Sequence, residues 1–372
     1  MSDMRTAIVI LAATATLAPV SARAQQHDHA VRVRTAVHVD AETQVEQRAA
    51  ERVRQLARER ARAEQNRGQD REEQTERISR TFKATEIDLS NLAGDITITR
   101  GGNSIQLEAV KVGRGRTADE AKEMLQFVTI EIAERGARVE VKAVHRGHEE
   151  RSRQRRNINV SVEYTVTAPE GTKVFAKSLS GNVRVTDIKG EINAVSLSGD
   201  ISVSNGERVL LAKSTSGDVE IVNVQSQTGL EANSTSGTVR VRNSRAPRMR
   251  LGSISGNVVI TAVEAPRLEA ESISGDIEFN APLQPNGRYE LSSHSGVIRV
   301  MPTGNTGFEI DATSFSGNIR SEITLKDQSQ GVADTDRRGR GGRTRSLRGV
   351  YGDGSATIDA TTFSGTVIIG KK

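Results

Sequence analysis

The sequence predicts an all-β protein built as a parallel β-solenoid with about 19–21 residues in each coil. The phrase Ser-x-Ser-Gly-(Asp/Asn/Thr)-(Val/Ile)-x-(Val/Ile) recurs along the chain, and apolar residues alternate on both sides of it. Equivalent positions carry similar residues from copy to copy, as expected when they stack about 4.8 Å apart. These uniform columns favour a solenoid over an antiparallel sandwich or meander. Because parallel crossovers are usually right-handed, we expect a right-handed coil.

The repeat is marked by its glycines, which follow one another at steps of 18, 18, 20, 19, 19, 21 and 21 residues and then at one of 48. A step near 20 residues has room for two short strands and two turns but not for a helical crossover. The last copy has Thr362 in place of the first serine. The glycines are Gly181, Gly199, Gly217, Gly237, Gly256, Gly275, Gly296, Gly317 and Gly365.

Each repeat is predicted to contain two strands joined by a Ser-Gly corner. Apolar residues stand four and two positions before the first serine and five and seven positions after it. Leu210, Leu230 and Met249 hold the first of these positions, so we expect them in one internal row. Glycine is expected to supply unusual backbone angles at the corner. On the outer face, Glu220 and Arg240 are expected to pair across neighbouring coils.

The residue directly after the first serine is also apolar in many copies, so we expect a further core column there and a bend of the chain near the serine. His294 is then a member of a core stack and not a general base. The column contains Leu179, Leu197, Thr215, Thr235, Ile254, Ile273, His294, Phe315 and Phe363.

The first 80 residues differ in kind from the rest. Residues 1–24 are predicted to be a secretory signal peptide, with Arg5, a short apolar stretch and Ala22-Arg23-Ala24 as cleavage site. Residues 25–80 are rich in charge, which predicts a partly helical or disordered linker, with a coiled-coil tether as the alternative. The chain has no cysteine and therefore forms no disulfide.

Residues 81–167 are predicted to form a β-rich cap that covers one end of the solenoid. Within it, residues 83–101 resemble a degenerate first coil, with Ile87, Leu89, Ile96 and Ile98 in the apolar columns. Thr117 is expected to begin a short helix that extends through Gln126.

The solenoid proper is predicted over residues 168–372, interrupted by a basic insertion at 326–354. Long Gly/Arg loops in a compact domain are either functional or disordered. The functional alternative is attraction to an anionic polymer such as lipopolysaccharide or acidic polysaccharide; nucleic acid is not expected, because the loop lacks stacking aromatics. The candidate binding residues are Arg337, Arg338, Arg340, Arg343, Arg345 and Arg348.

No catalytic, metal or cofactor site is predicted. Asp200 and Asp218 occupy one column on neighbouring coils, as a pair of catalytic carboxylates in a carbohydrate-active β-helix would. Asn182, Thr238 and Asn257 share that column, however, so its chemistry is that of a turn. The chain also has no Trp and only 3 Tyr, which leaves few residues for sugar stacking.

The SxSG(D/N)(V/I)x(V/I) coils, the strand 162–169 that leads into them and the final Phe363-Ser364-Gly365 coil resemble the bacterial DUF4097 β-strand repeat proteins, which are labelled "putative adhesins". The resemblance covers roughly residues 81–372. It implies an envelope or secreted β-solenoid and brings no catalytic residues with it. The expected function is a non-enzymatic scaffold or binding module that is periplasmic, surface-exposed or secreted, with anionic envelope polysaccharide or envelope proteins as partners. A carbohydrate-active enzyme and a periplasmic regulatory partner are the alternatives.

Overall fold

A computed structural model describes residues 72–145, 159–334 and 343–371. The predicted signal peptide and residues 25–71 of the charged segment lie outside this part of the chain. The described residues are all-β apart from one short helix, and their strands form two long sheets of thirteen and fourteen strands. No helix among them has the length and hydrophobicity to cross a bilayer.

The elements fall into an N-terminal part, the coils and a C-terminal part. The N-terminal part contains β1 (Glu72–Phe82), β2 (Glu86–Ala93), β3 (Ile96–Arg100), β4 (Ile105–Gly115), α1 (Ala118–Leu125), β5 (Val128–Arg135), β6 (Arg138–His145) and β7 (Val160–Ala168). The coils contain β8 (Lys173–Ser180), β9 (Val183–Thr186), β10 (Glu191–Ser196), β11 (Ile201–Ser204), β12 (Arg208–Ser214), β13 (Val219–Val222), β14 (Leu230–Ser234), β15 (Val239–Arg242), β16 (Met249–Ser253), β17 (Val258–Thr261), β18 (Arg267–Ser272), β19 (Ile277–Asn280), β20 (Arg288–Ser293), β21 (Ile298–Val300), β22 (Phe308–Ser314) and β23 (Asn318–Ser321). The C-terminal part contains β24 (Lys326–Asp334), β25 (Arg343–Tyr351), β26 (Ala356–Thr362) and β27 (Thr366–Ile369).

The repeats stack as parallel coils, which confirms the predicted architecture. Each coil gives one strand to each sheet, and equivalent residues pair in register, as Ile192 does with Val174 and Val203 with Val185. In the region of the predicted degenerate first coil, β2 and β3 pair in parallel with β8 and β9. The handedness stays a prediction.

The internal rows are mostly aliphatic, with Phe279 and Tyr289 among their members, and they depart from the predicted register at one point. Leu230 and Met249 pair across β14 and β16 and are buried, but Leu210 does not join them. A bulge in β12 places Val209 opposite Ile192, and Leu210 is only partly buried. The expectation that Leu210 lies in this row is therefore wrong, because one extra residue in a strand shifts the side chains before it.

The coils do not stack in chain order at the C-terminal end. The last coil of the chain, β26–β27, lies between β20–β21 and β22–β23 in both sheets. The hairpin β24–β25, which forms most of the 326–354 insertion, pairs antiparallel with β22 and extends the fourteen-stranded sheet. In the thirteen-stranded sheet, β23 is left as the terminal strand.

The N-terminal strands extend the other end of both sheets. Strands β6 and β5 add to β2, and β7, β4 and β1 add to β3. Helix α1 starts after Thr117, whose hydroxyl accepts a hydrogen bond from the N–H of Glu120, as predicted. The predicted linker boundary at residue 80 is too late, since β1 begins at Glu72 and pairs with β4 over its whole length.

Candidate functional site

The first serine of the phrase is an internal hydrogen-bonding residue in the coils from Ser196 to Ser314, whereas the buried hydroxyl of Ser178, in the first copy, has no hydrogen-bond partner among the described residues. In the coil of Ser234, the hydroxyl accepts from the N–H of Gly237 at 2.9 Å and donates to the carbonyl oxygen of Gly217, on the neighbouring coil, at 2.8 Å. The same pair of bonds recurs at Ser196, Ser214, Ser253, Ser272, Ser293 and Ser314. A small hydroxyl satisfies two backbone groups at the corner, which explains why this buried column is serine.

The corner glycines are required by close packing between coils. A Cβ on Gly217 would lie 2.2 Å from the carbonyl oxygen of Gly199, and one on Gly199 would lie 1.9 Å from that of Gly181. Among the repeat glycines only Gly181 has a positive φ, at 154°. The prediction that glycine supplies unusual backbone angles is therefore wrong for the column as a whole.

The residue after the glycine holds neighbouring coils together. Oδ1 of Asp200 accepts from the N–H of Asp218 at 2.8 Å, and Oδ1 of Asp218 accepts from the N–H of Thr238 at 2.8 Å. Burial acts to raise the pKa of Asp218, but hydrogen bonds from Arg240 and from the Thr238 N–H outweigh it and hold the pKa below its ordinary value. Both carboxylates therefore have structural partners, which agrees with the turn interpretation of this column.

The outward charges pair diagonally. Glu220 lies opposite Arg240 in the strand register, as predicted. Arg240, however, pairs with Asp218 at 2.8 Å, and Glu220 pairs with Arg242. Because the backbone already fixes the Asp218 carboxylate, forming this pair costs side-chain entropy mainly at Arg240.

The column after the first serine lies on the surface, so the prediction of a core column there is wrong. Ile254 and Ile273 are 46% and 50% exposed, and Leu179, Leu197 and Phe363 are exposed to a similar degree. The chain keeps the serine inside and turns over the next two residues, which therefore face solvent. The alternation rule fails at this point because it assumes a continuous strand. We call the nine residues of this column the corner ladder: Leu179, Leu197, Thr215, Thr235, Ile254, Ile273, His294, Phe315 and Phe363.

Aromatic rings form the C-terminal end of the corner ladder. The ring of Phe363 lies 4.8 Å from that of His294 and 4.8 Å from that of Phe315, with interplanar angles of 4° and 11°. The rings are stacked face to face, so they present their edges to solvent. His294 is an exposed member of this stack. The prediction that it lies in the core is therefore wrong.

An open groove of about 750 Å³ runs beside the corner ladder. One wall consists of the ladder from Thr235 to Phe315, and the floor consists of the buried serine column. The other wall is the row directly before the serines, which is mostly polar: Lys213, Asn233, Gly252, Glu271, Ser292, Thr361 and Thr313. We call this feature the corner groove. It joins residues from seven coils of the chain and Thr344 of the hairpin.

The predicted arginine cluster is only partly within the described residues. Arg337, Arg338 and Arg340 lie outside them, and only the backbone of Arg343 is described, as the first residue of β25. Arg345 is exposed. Arg348 pairs with Asp311 through Nη2 at 2.7 Å and Nε at 2.8 Å, so its charge already has a partner.

The described residues contain no group of three or more His, Asp and Glu side chains placed to hold a metal ion. A second cleft, of about 730 Å³, lies at the starts of β16, β18 and β20. Its arginines are Arg248, Arg267 and Arg288, two of which are paired with Glu269 and Glu290. The corner groove is the better candidate, because apolar side chains exposed in a row need an explanation and surface ion pairs do not.

Comparisons with known proteins agree with the resemblance noted in the sequence. A family profile described as Toastrack DUF4097 matches residues 84–369. No curated protein matches the chain.

Three solved structures cover most of this chain. The first, described as a "putative adhesin" from Bacteroides fragilis, is 16% identical with a TM-score of 0.31, covering 80% of this chain and 97% of its own. A "putative lipid binding protein" from Parabacteroides distasonis is 12% identical with a TM-score of 0.39, and the match covers 80% of this chain and 96% of that protein. A "putative cell adhesion protein" from Clostridium sporogenes is 9% identical with a TM-score of 0.20, and the match covers 80% of this chain and 100% of that protein. Similarity at this level carries no information about ligand or activity.

Proposed function

We propose that this chain, which belongs to the Toastrack DUF4097 family, is a non-enzymatic binding module of the bacterial cell envelope and that the corner groove is its binding surface. The predicted signal peptide at 1–24 would export it. The regular coils would serve as a rigid scaffold, and the groove would hold a ligand or partner along the direction of stacking.

The observation that carries this proposal is the exposed corner ladder. Single exposed apolar residues are normal on protein surfaces, but a continuous row of them beside a groove is typical of a binding site. Ile254, Ile273 and Phe363 expose close to half of their surface and lie on coils that are near neighbours in the stack. Covering such a row with a ligand would remove its apolar surface from water, which is favourable.

An enzymatic role has little support from the described residues. Asp200 and Asp218, the predicted alternative for acid/base chemistry, accept hydrogen bonds from backbone N–H groups of the next coil. Hydrogen bonds from Arg240 and from the Thr238 N–H lower the pKa of Asp218, so this carboxylate is a poor proton donor near neutral pH. We therefore propose binding without catalysis.

The arginine-rich insertion remains a second proposed contact, for anionic envelope polysaccharide. Deleting residues 326–354 would remove β24 and β25, which cover β22, so it would test folding as well as binding. Replacing Arg337, Arg338 and Arg340 with glutamine leaves both strands in place. We expect salt-sensitive retention on an acidic polysaccharide column to fall in this variant; unchanged retention would remove the insertion from the proposed function.

The groove itself can be tested by sedimentation with isolated bacterial envelopes. We expect the double variant Ile254→Ser/Ile273→Ser to be retained much less than the native chain. The matched control is Leu179→Ser/Leu197→Ser, which changes the same ladder position at 47% and 45% exposure but outside the groove. Circular dichroism would check that both variants are folded. Equal retention of the two variants, or no retention of the native chain, would contradict the proposed function.

A further inference from the structure

We propose that the corner groove binds a long-chain fatty acid, with its acyl chain along the corner ladder and its carboxylate near Lys213. This inference rests on the proposed function, because it names the ligand class of the same site. Five features of the groove lead to it: its length, the change in composition along the ladder, the distribution of its charges, the hydrogen bonding of the corner backbone and the packing of the aromatic rings.

The length of the apolar section fits one acyl chain. The section runs over neighbouring coils from Ile254 through Ile273, His294 and Phe363 to Phe315. Four steps of about 4.8 Å give a length of roughly 19 Å. One acyl chain spans about half of the hydrocarbon core of a bilayer, or about 15 Å. A chain laid along the stacking direction would therefore contact the side chains of four or five coils.

The composition of the ladder changes along the groove. Thr235, which precedes Ile254 in the stack, is polar, and Asn233 lies across the groove from it on the same coil. Beyond Ile254 the ladder wall is apolar or aromatic as far as Phe315. A ligand that matches this order has a polar head on the coil of Asn233 and an apolar tail of several coils in length.

The charges along the groove favour an anionic head at this end. Lys213, on the adjacent coil, is exposed and has no ion pair among the described residues. Its ammonium group, on a flexible stem, can reach a carboxylate on the next coil. Glu271 lines the groove two coils beyond Asn233 and would repel an anion there. Attraction by Lys213 and repulsion by Glu271 therefore both place the carboxylate of the ligand at the Lys213 end of the groove.

The corner backbone cannot pair with an extended peptide. Along the ladder, the N–H of Ile273 donates to the carbonyl of Ser253, and the N–H of Ser274 donates to the carbonyl of Ile254. The N–H groups of Ile254, His294, Phe363 and Phe315 donate to neighbouring coils in the same way, so the donors along the apolar section are already used within the solenoid. A peptide strand would find no free ladder of N–H donors, whereas an acyl chain needs none.

The aromatic rings also disfavour a sugar chain as the ligand. Sugars pack against the open faces of aromatic rings, but the stack of His294, Phe363 and Phe315 covers both faces of the central ring. Ring edges in a row, continuous with Ile254 and Ile273, form instead an apolar strip. Such a strip suits an aliphatic chain.

The experiment is a calorimetric titration of the purified mature chain with palmitate below its critical micelle concentration. We expect saturable binding of one palmitate per chain. Ile254→Ser/Ile273→Ser should weaken it at least tenfold, because each isoleucine loses most of its apolar contact, and Leu179→Ser/Leu197→Ser should leave it unchanged. Lys213→Gln should weaken palmitate binding several-fold, whereas Lys177→Gln, in the same row but outside the groove, should not.

Two further probes test the head group. We expect dodecyltrimethylammonium, which carries the opposite charge, to bind much more weakly than laurate, which has a tail of the same length. Lysophosphatidylglycerol should compete less well than palmitate. Tighter binding of either would overturn the assignment of a carboxylate, as would equal binding of palmitate by Lys213→Gln and the native chain.

Absence of palmitate binding, or binding that is insensitive to Ile254→Ser/Ile273→Ser, would overturn the inference. The proposed function would still stand if that variant lost retention on isolated envelopes while the native chain failed to bind palmitate. If Ile254→Ser/Ile273→Ser kept both palmitate binding and retention on envelopes, both the inference and the proposed function would be contradicted. Titrating an extended peptide of alternating valine and threonine in parallel would detect a protein-like partner, and saturable binding of that peptide at the groove in place of palmitate would also overturn the lipid assignment.

Discussion

The ring of Phe363 lies parallel to that of His294, with centroids 4.8 Å apart and an interplanar angle of 4°, although a whole repeat carrying Phe315 separates them in the chain. Phe363 belongs to the last coil, which inserts between two coils that are consecutive in sequence. The insertion places the C-terminal residues inside the stack and not at its end.

Because the last coil is inserted between two earlier ones, a longer C-terminal truncation can leave a better-ordered fragment than a shorter one. A chain that ends at residue 354 loses β26 and β27, and so leaves β20 and β22 without the strand between them. A shorter chain that ends at residue 302 keeps an uninterrupted stack up to β20 and β21. In a solenoid each coil depends on its neighbours, so we expect the longer fragment to be the less ordered of the two.

Hydrogen exchange followed by mass spectrometry would check this prediction. We expect residues 303–354 to exchange rapidly in the longer fragment, while β16 and β18 stay protected in both fragments. Protection of β22 and β25 in the chain that ends at 354 would contradict the inserted order of the coils.

Alanine at a corner glycine should destabilise the fold strongly. In Gly217→Ala the new Cβ would lie 2.2 Å from the carbonyl oxygen of Gly199, so the coils must move apart. Overpacking of this kind costs about 1–3 kcal/mol of unfolding free energy, or more where backbone must shift. Chemical denaturation would measure it. Gly171→Ala is the control: its Cβ would meet no atom within 4 Å, and we expect the stability of that variant to stay the same or rise slightly.

Removing one internal hydroxyl should also lower the free energy of unfolding by a measurable amount. Ser234→Ala leaves the N–H of Gly237 and the carbonyl of Gly217 without that partner inside the corner. A buried group left unsatisfied costs about 1–3 kcal/mol. Ser236→Ala, two residues on and exposed, should change the unfolding free energy by less than about 0.5 kcal/mol. Equal effects of the two substitutions would mean that the internal bonds contribute nothing.

The Asp218–Arg240 pair should add an acid-sensitive part to the stability. Because the pKa of Asp218 is lowered in the folded state, its contribution is present above the unfolded pKa of about 3.9 and is lost as the pH falls through the folded value. We therefore expect the stability difference between the native chain and Asp218→Asn to shrink between pH 6 and pH 3. In the Arg240→Gln background the same substitution should show a weaker pH dependence. A difference that grows on acidification would contradict the sign of this shift.

Periodicity was sufficient to predict the stacked coils, their strands and most of the aliphatic rows. Each row repeats residues of similar character at one offset, as Ala194 and Ala212 show, and such a column is visible without coordinates. The offset rule failed at Leu210, where a bulge moves one residue out of register. It also failed after each serine, because the rule cannot say whether a turning residue faces inward or outward.

The spacing and the apolar columns are local and repeat along the chain, so they were enough to predict an all-β stack of parallel coils. The contacts between coils were needed to learn that the glycines allow close packing and that the column of Ile254 and Ile273 faces solvent beside a groove. They also place Phe363 between His294 and Phe315. Those properties depend on which coil lies next to which, and a chain that folds back on itself can insert a coil without any change in its local pattern.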